Sequence, residues 1–280
     1  MISPFSITGL LWALLFMTTT VNAIPSNPFR RFQVHFADCD KPKKDKLEKA
    51  LEDAAKLAET AEDISTSSTA FTHYLREEDG DEAKKLWKMV AASKDSKNIA
   101  YTFSIRSAKE PASSAPLHTP KLTAGRQPRH HRLDAAERHR AAREMKICPL
   151  FFTDAQTRRN LASRKYNGDK RGRWCQTGQH FADFETAGHT LLHETTHLDA
   201  LAKAAGLPAR TEDDFTSHAL DDVAIYGNDY VKAARLFLSD WAAKKFPDDA
   251  LKPLQNAENI AAAATEWRFI KKCHFTEISL

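Results

Sequence analysis

Phe184-Glu185-Thr186-Ala187-Gly188-His189-Thr190-Leu191-Leu192-His193-Glu194-Thr195-Thr196-His197 is the stretch around which the rest of the chain is organised. No proline interrupts it, and an apolar pair, Leu191 and Leu192, leads into the final five residues. That pattern predicts a helix. Four residues make one helical turn and a little more, so the imidazoles of His193 and His197 stack on one face. Two neutral imidazoles at that spacing can hold one Zn²⁺. Glu194 lies about 100° further round the helix, beside the metal, where its carboxylate can take a proton from a zinc-bound water. The plainer reading is a pair of histidines that cap or pack a core helix.

A catalytic zinc site needs a third protein ligand and an open position. Asp199 follows His197 too closely and points to another face. Glu212, Asp213 and Asp214 read as solvent-facing loop acids, and His218 is a further candidate. Asp221-Asp222-Val223-Ala224-Ile225-Tyr226-Gly227 is more informative, because it places acids and a Tyr-Gly pair after a reversal long enough to return to the helix.

At these residues the chain resembles the aspzincin metalloendopeptidases, the deuterolysins and lysine-specific metalloendopeptidases, and within them a secreted fungal branch. Their motif follows the two-histidine helix with Asp, two residues and Tyr-Gly, the Asp being the third zinc ligand. Asn256-Ala257-Glu258-Asn259-Ile260-Ala261 and Ile147-Cys148-Pro149-Leu150-Phe151-Phe152 are similar to further family segments, so the resemblance covers roughly residues 36–270. Two departures stand out. Val223 falls where the ligand Asp belongs, with Asp222 one residue early and Asp221 two early, and Ala219-Leu220 replace a Gly-Thr pair. A one-residue loop insertion delivers Asp222 to the metal, and Asp222 is expected ahead of Asp221.

The resemblance implies a secreted zinc metalloendopeptidase acting on a protein or peptide substrate. His193, His197 and Asp222 would hold Zn²⁺, and Glu194 would be the general base. The Tyr226 phenol would stabilise the oxyanion of the tetrahedral intermediate, unless it is simply a buried turn tyrosine. No lysine specificity is carried over. A different class stays open: a secreted binding or effector protein on the same scaffold, with zinc but little turnover, or with no metal. A third reading, polyanion binding through residues 126–146, rests on the basic run Arg129-His130-His131-Arg132 and its surroundings.

The chain has 280 residues, 42% hydrophobic and 28% charged, which suits one domain with a real core. The formal net charge of +4 is mild and partly local, so no nucleic-acid partner is inferred. Residues 1–23 read as a signal peptide, with an apolar run from Gly9 to Met17 and small residues at Val21-Asn22-Ala23. The mature protein is therefore expected to be secreted, free of the membrane and monomeric. Residues 24–35 read as a short propeptide or loose N-terminal arm, and residues 36–280 as the metallopeptidase domain. Cys39, Cys148, Cys175 and Cys273 predict two disulfides with three possible pairings, of which Cys148–Cys175 with Cys39–Cys273 is the one expected.

The expected fold class is α+β: a mostly helical, zincin-like domain with a small sheet beside the His-Glu-x-x-His helix. Apolar residues at three- and four-residue steps predict helices over 41–63, around Phe71 to Leu75, and over 82–93. Further helices are expected at Asp229 to Lys244 and Pro253 to Phe269, with a basic helix from Ala135 to Met145. The zinc helix is expected to end near Gly206-Leu207-Pro208. Ile99–Ile105 and Ile147–Phe152 are the predicted strands, and residues 107–132, with four prolines, a disordered insertion.

Overall fold

The computed structural model describes residues 32–91, 101–107, 144–163, 174–175, 178, 180–208, 210–212, 216–223, 229–247 and 250–280. The expected signal peptide, the insertion beyond Ser107, most of the basic segment, and Tyr226-Gly227 lie outside them. The described chain is helix-rich α+β, with eight α-helices and a three-stranded sheet.

The first long helix, α1 (Lys41–Ala61), starts where Asp40 accepts a hydrogen bond from the Lys43 amide at 2.9 Å and Pro42 occupies the first turn. Leu47, Ala50, Leu51, Ala54, Leu57, Ala58 and Ala61 then recur on one buried face. Two shorter helices follow, α2 (Thr69–Thr72) and α3 (Gly80–Val90), and α3 buries Ala83, Leu86, Trp87 and Val90.

The C-terminal helix, α8 (Ala257–Cys273), runs through the middle of the core. Residues Ile260 to Ala264 are fully buried, and four consecutive alanines let the neighbouring helices approach closely. The Trp87 indole N–H donates to the Ile260 carbonyl at 3.1 Å, so this large side chain is buried with its polar atom satisfied.

Helix α5 (Ala187–Thr196) carries the two histidines and packs directly on α1. Gly188 makes that approach possible. A Cβ at this position would lie 2.6 Å from Asp53 Cβ and 3.0 Å from the Asp53 backbone carbon. Asp53, fully buried, accepts the Leu161 amide at 2.6 Å and faces Lys49 at 3.4 Å.

Strands β1 (Phe32–Ala37), β2 (Tyr101–Ser107) and β3 (Glu144–Ile147) form a parallel sheet in that order. Phe103 and Ile105 point inward from β2, which packs against α6 (Asp199–Ala205), the helix that follows the histidine-bearing one. A short antiparallel pair, β4 (Arg210–Glu212) and β5 (Thr216–His218), leads away from α6. Among the described residues no helix is long and apolar enough to cross a membrane.

Five expectations are corrected. Residues 32–35 are not a loose arm. They begin β1, where half-buried Val34 and Phe36 alternate with exposed Gln33 and His35. The basic helix cannot reach Met145, because Met145 and Ile147 turn inward on β3 while Lys146 faces out, a period of two. Ile147–Phe152 is not one strand: Pro149, with φ −56° and ψ −30°, turns the chain, and α4 (Leu150–Thr153) follows.

The helix that carries the two histidines stops at Thr196 rather than running to Gly206. Leu198 is extended, with φ −69° and ψ 120°, and the glycine stop signal belongs to α6, where Gly206 takes φ 72°. Finally, the disulfide is Cys175–Cys273, with Cα atoms 4.8 Å apart, and Cys39 and Cys148 are free thiols. Trp174 lies against Phe184 and Phe269, which sets Cys175 beside the end of α8, whereas Cys39 and Cys148 follow β1 and β3. Closing a loop of 98 residues stabilises the fold by about 4–5 kcal/mol on the loop-entropy account.

Candidate metal centre

Thr186 starts α5 by accepting the His189 amide at 3.2 Å. One turn later come His193 and, at the helix end, His197, with ring centroids 5.0 Å apart. The break after Thr196 has a use. Freed from helical pairing, the carbonyl of Thr196 accepts the Leu220 amide at 3.2 Å, and that of His197 accepts the Ala219 amide at 3.0 Å. This ties a second segment, residues 219–223, to the end of the histidine helix.

The far side of that segment is tied to the start of α8. The Asp221 amide donates to Gln255 O at 2.8 Å, and the Ala257 amide donates back to Asp221 O at 2.9 Å. Asn256 Oδ1 accepts the Val223 amide at 3.1 Å, and its own amide donates to Asn259 Oδ1. Asn259 in turn donates to the carbonyl of Tyr74 at 2.5 Å. Asp222 is thus held between two fixed neighbours.

His193 Nε2 lies 3.0 Å from Asp222 Oδ1, His197 Nε2 lies 3.3 Å from the same oxygen, and the two nitrogens are 3.3 Å apart. These three are the group of potential metal ligands found among the described residues. Asp221, the other acid weighed from sequence, is not in it. Glu194 sits between the two histidines in sequence and is half-buried, and among the described residues no hydrogen bond or ion pair engages its carboxylate.

The tautomers follow from the partners. His197 Nδ1 is 2.7 Å from the Leu220 carbonyl, which can only accept, so the proton is on Nδ1. His193 Nδ1 is 2.8 Å from Glu258 Oε2, a carboxylate. In their neutral forms both Nε2 atoms therefore direct lone pairs at the Asp222 oxygen and at each other. Three electron pairs converging without a proton repel one another unless a cation sits among them.

An ion bonded to three such donors at about 2.0–2.2 Å holds them roughly 3.0–3.5 Å apart, which is the spacing present. The residues fit a divalent metal. The local charges agree. Burial pushes the Asp222 carboxyl up, but the His193 and His197 imidazoles beside it outweigh this and hold it well below the usual carboxylate range, while Asp222 Oδ1 itself has no hydrogen-bond partner. Burial pushes the His193 imidazole down, and hydrogen bonds to Asp222 and Glu258 raise it well above its ordinary value.

Three residues near the centre had no role in the sequence reading. Glu258 holds the outer nitrogen of His193; burial pushes its carboxyl up, and His189 and His193 bring it down to about 2. His189, one turn before His193, faces Glu258 Oε1 at 3.1 Å. Tyr230 opens α7 (Tyr230–Ala242), whose N-cap is Asp229, and its ring lies edge-on to His193 with centroids 6.3 Å apart. Burial and then Asp222 push the Tyr230 phenol up, so it carries its proton. The four-residue recurrence of His189, His193 and His197 was a visible signal for the second of these. Tyr226, the phenol expected at the site, lies outside the described residues.

Compared with protein-family models and with curated proteins, the sequence matches none.

Proposed function

We propose that the protein is a secreted zinc metalloendopeptidase on a zincin-like scaffold, related in its site to the aspzincins. The observation that carries this reading is the convergence of His193 Nε2, His197 Nε2 and Asp222 Oδ1 within 3.3 Å of one another. Glu194, which has no competing partner among the described residues, stands between the two histidine ligands. Two imidazoles and a carboxylate would also suit ferrous iron. The adjacent acid favours zinc, because hydrolysis requires a base beside the metal and zinc performs no redox chemistry.

His193, His197 and Asp222 would hold the ion and leave one position for water or substrate. When bound, zinc supplies a Lewis acid that polarises the scissile carbonyl and acidifies the attacking water. The Glu194 carboxylate takes the proton from that water and returns it to the leaving amine nitrogen. The Leu220 carbonyl and Glu258 keep each imidazole in the tautomer that exposes Nε2. A phenol beside the ligands donates to the developing oxyanion. Tyr230 is the one placed against His193, and Tyr226 is the one the family resemblance implies.

The test is metal analysis of the purified protein and of His193→Ala, followed by cleavage of a peptide library with and without a chelator. One equivalent of zinc that is lost in His193→Ala, with cleavage abolished by the chelator, supports the proposal. Zinc without cleavage points instead to a binding protein on the same scaffold.

A further inference from the structure

His189, His193 and His197 recur at four-residue steps and so form a row along α5. Two of them point their Nε2 atoms at the metal centre. The third is used differently. The His189 ring is buried edge-on against Phe181, with centroids 5.7 Å apart, and Nδ1 lies 2.9 Å from the Thr265 hydroxyl of α8. Its Nε2 is 3.1 Å from Glu258 Oε1, while the other oxygen of that carboxylate, Oε2, takes the Nδ1 proton of His193 at 2.8 Å. Glu258 is therefore spanned by two imidazoles from one helix, one on each oxygen, and is 4% exposed.

We infer that His189 is a positioning residue of the metal centre, acting on the ligand His193 through Glu258. This rests on the metal-site reading above. The terminal torsion of a glutamate is broad, so a carboxylate fixed at one oxygen can swing about its Cγ–Cδ bond. Pinning the second oxygen stops the swing and keeps the acceptor opposite His193 Nδ1. The 3.1 Å approach of His189 Nε2 is a close contact and not an aligned hydrogen bond, so Oε1 is held by the imidazole packed beside it. A fixed Glu258 acceptor makes His193 the better-aimed ligand. His189 itself touches neither metal nor substrate.

The experiment measures the zinc dissociation constant by competition with a chromophoric chelator, together with the visible spectrum of the cobalt-substituted protein and the circular dichroism of each variant. Removing an outer partner of a metal-bound histidine weakens binding about 10- to 100-fold, which is the expectation for Glu258→Gln. His189→Leu, one step further out, is expected to weaken it about 10-fold with the fold retained, and His189→Gln, whose amide reaches the position of Nε2, to recover most of that. In the Glu258→Gln background His189→Leu should add less than about 2-fold, because the path through Glu258 is already cut.

If His189→Leu does not fold, His189→Asn carries the test, since its shorter amide can keep Thr265 but not reach Glu258, and the same loss is expected. Wild-type affinity in a folded His189 variant, or an equal loss with and without Glu258, overturns the inference. If the wild-type chain binds no zinc at all, the metal reading and this inference fall together; zinc binding that ignores His189 removes this inference alone.

Discussion

Asn256 Oδ1 accepts the backbone N–H of Val223 at 3.1 Å, fixing the residue next to Asp222 to the start of the helix that carries Glu258. Asp222, the third member of the candidate metal group, is thereby oriented by the element that also orients His193. Asn256→Ala should lower zinc affinity about 10-fold or more without unfolding the chain, and Asn256→Asp, which keeps an acceptor, should lower it less. Chelator competition on the two variants checks this, and equal affinities would show that the loop holds its shape unaided.

Gly188 is the contact point of α5 and α1, where any side chain meets Asp53 at 2.6 Å. Gly188→Ala gains up to about 1 kcal/mol of helix propensity but forces two helices apart. The account predicts a net loss of about 1–3 kcal/mol, as overpacked cores show, read from urea midpoints. A stabilised variant would mean that the helices separate freely.

The helix, its two histidines and the acid beside them were legible because one sequence period places all of them. Asp222 could be weighed but not chosen, since an acid one residue off the spacing of the resemblance reaches the two imidazoles only if its loop is held. Ala219 and Leu220 do that holding through backbone groups that carry no sequence signature, and Asn256 through its side-chain oxygen, 34 residues from Asp222 in sequence. Glu258 stands 65 residues from His193, and nothing local marks it as a partner. The end of α5 was misplaced because Gly206 and Pro208 are genuine stop signals that terminate the next helix. The disulfide was misassigned because four cysteines allow three pairings, and packing of Trp174 on Phe269, not spacing, selects one.

Glu185 supplies a pH test. Burial, reinforced by Glu258 and Asp229 and opposed by His189 and Arg159, pushes its carboxyl up to about 7. Between pH 4.5 and 7 the folded chain keeps a proton that the unfolded chain has released, so the Glu185 contribution falls as pH rises through that window and levels off above it, while His193, raised by Asp222 and Glu258, loses its own contribution at higher pH. The full Glu185 loss is at most about 3 kcal/mol. Glu258, held down to about 2, acts oppositely: its stabilisation is present above about pH 4.5 and is lost as pH falls toward 2. Urea midpoints of the metal-free protein from pH 2 to 8 should show both slopes. Glu185→Gln should flatten the upper slope and leave the lower one, and an unchanged upper slope would assign it elsewhere.

Under the proposed mechanism two tyrosines are candidates to donate to the oxyanion. Tyr230 stands edge-on to His193 and remains protonated. Tyr230→Phe should lower kcat on the order of 10²-fold with KM little changed and zinc retained, and Tyr226→Phe should lower it less. Steady-state kinetics on the zinc-loaded variants decides, and the reverse order would return the role to Tyr226.

The most direct measurement is the cleavage rate of zinc-loaded wild-type protein beside zinc-loaded Glu194→Gln, with the metal content of both determined. Glu194 is no ligand in this account, so the variant keeps one zinc per chain while its rate falls by about 10²–10⁴-fold. Cleavage that persists both in Glu194→Gln and after removal of the metal would contradict the account.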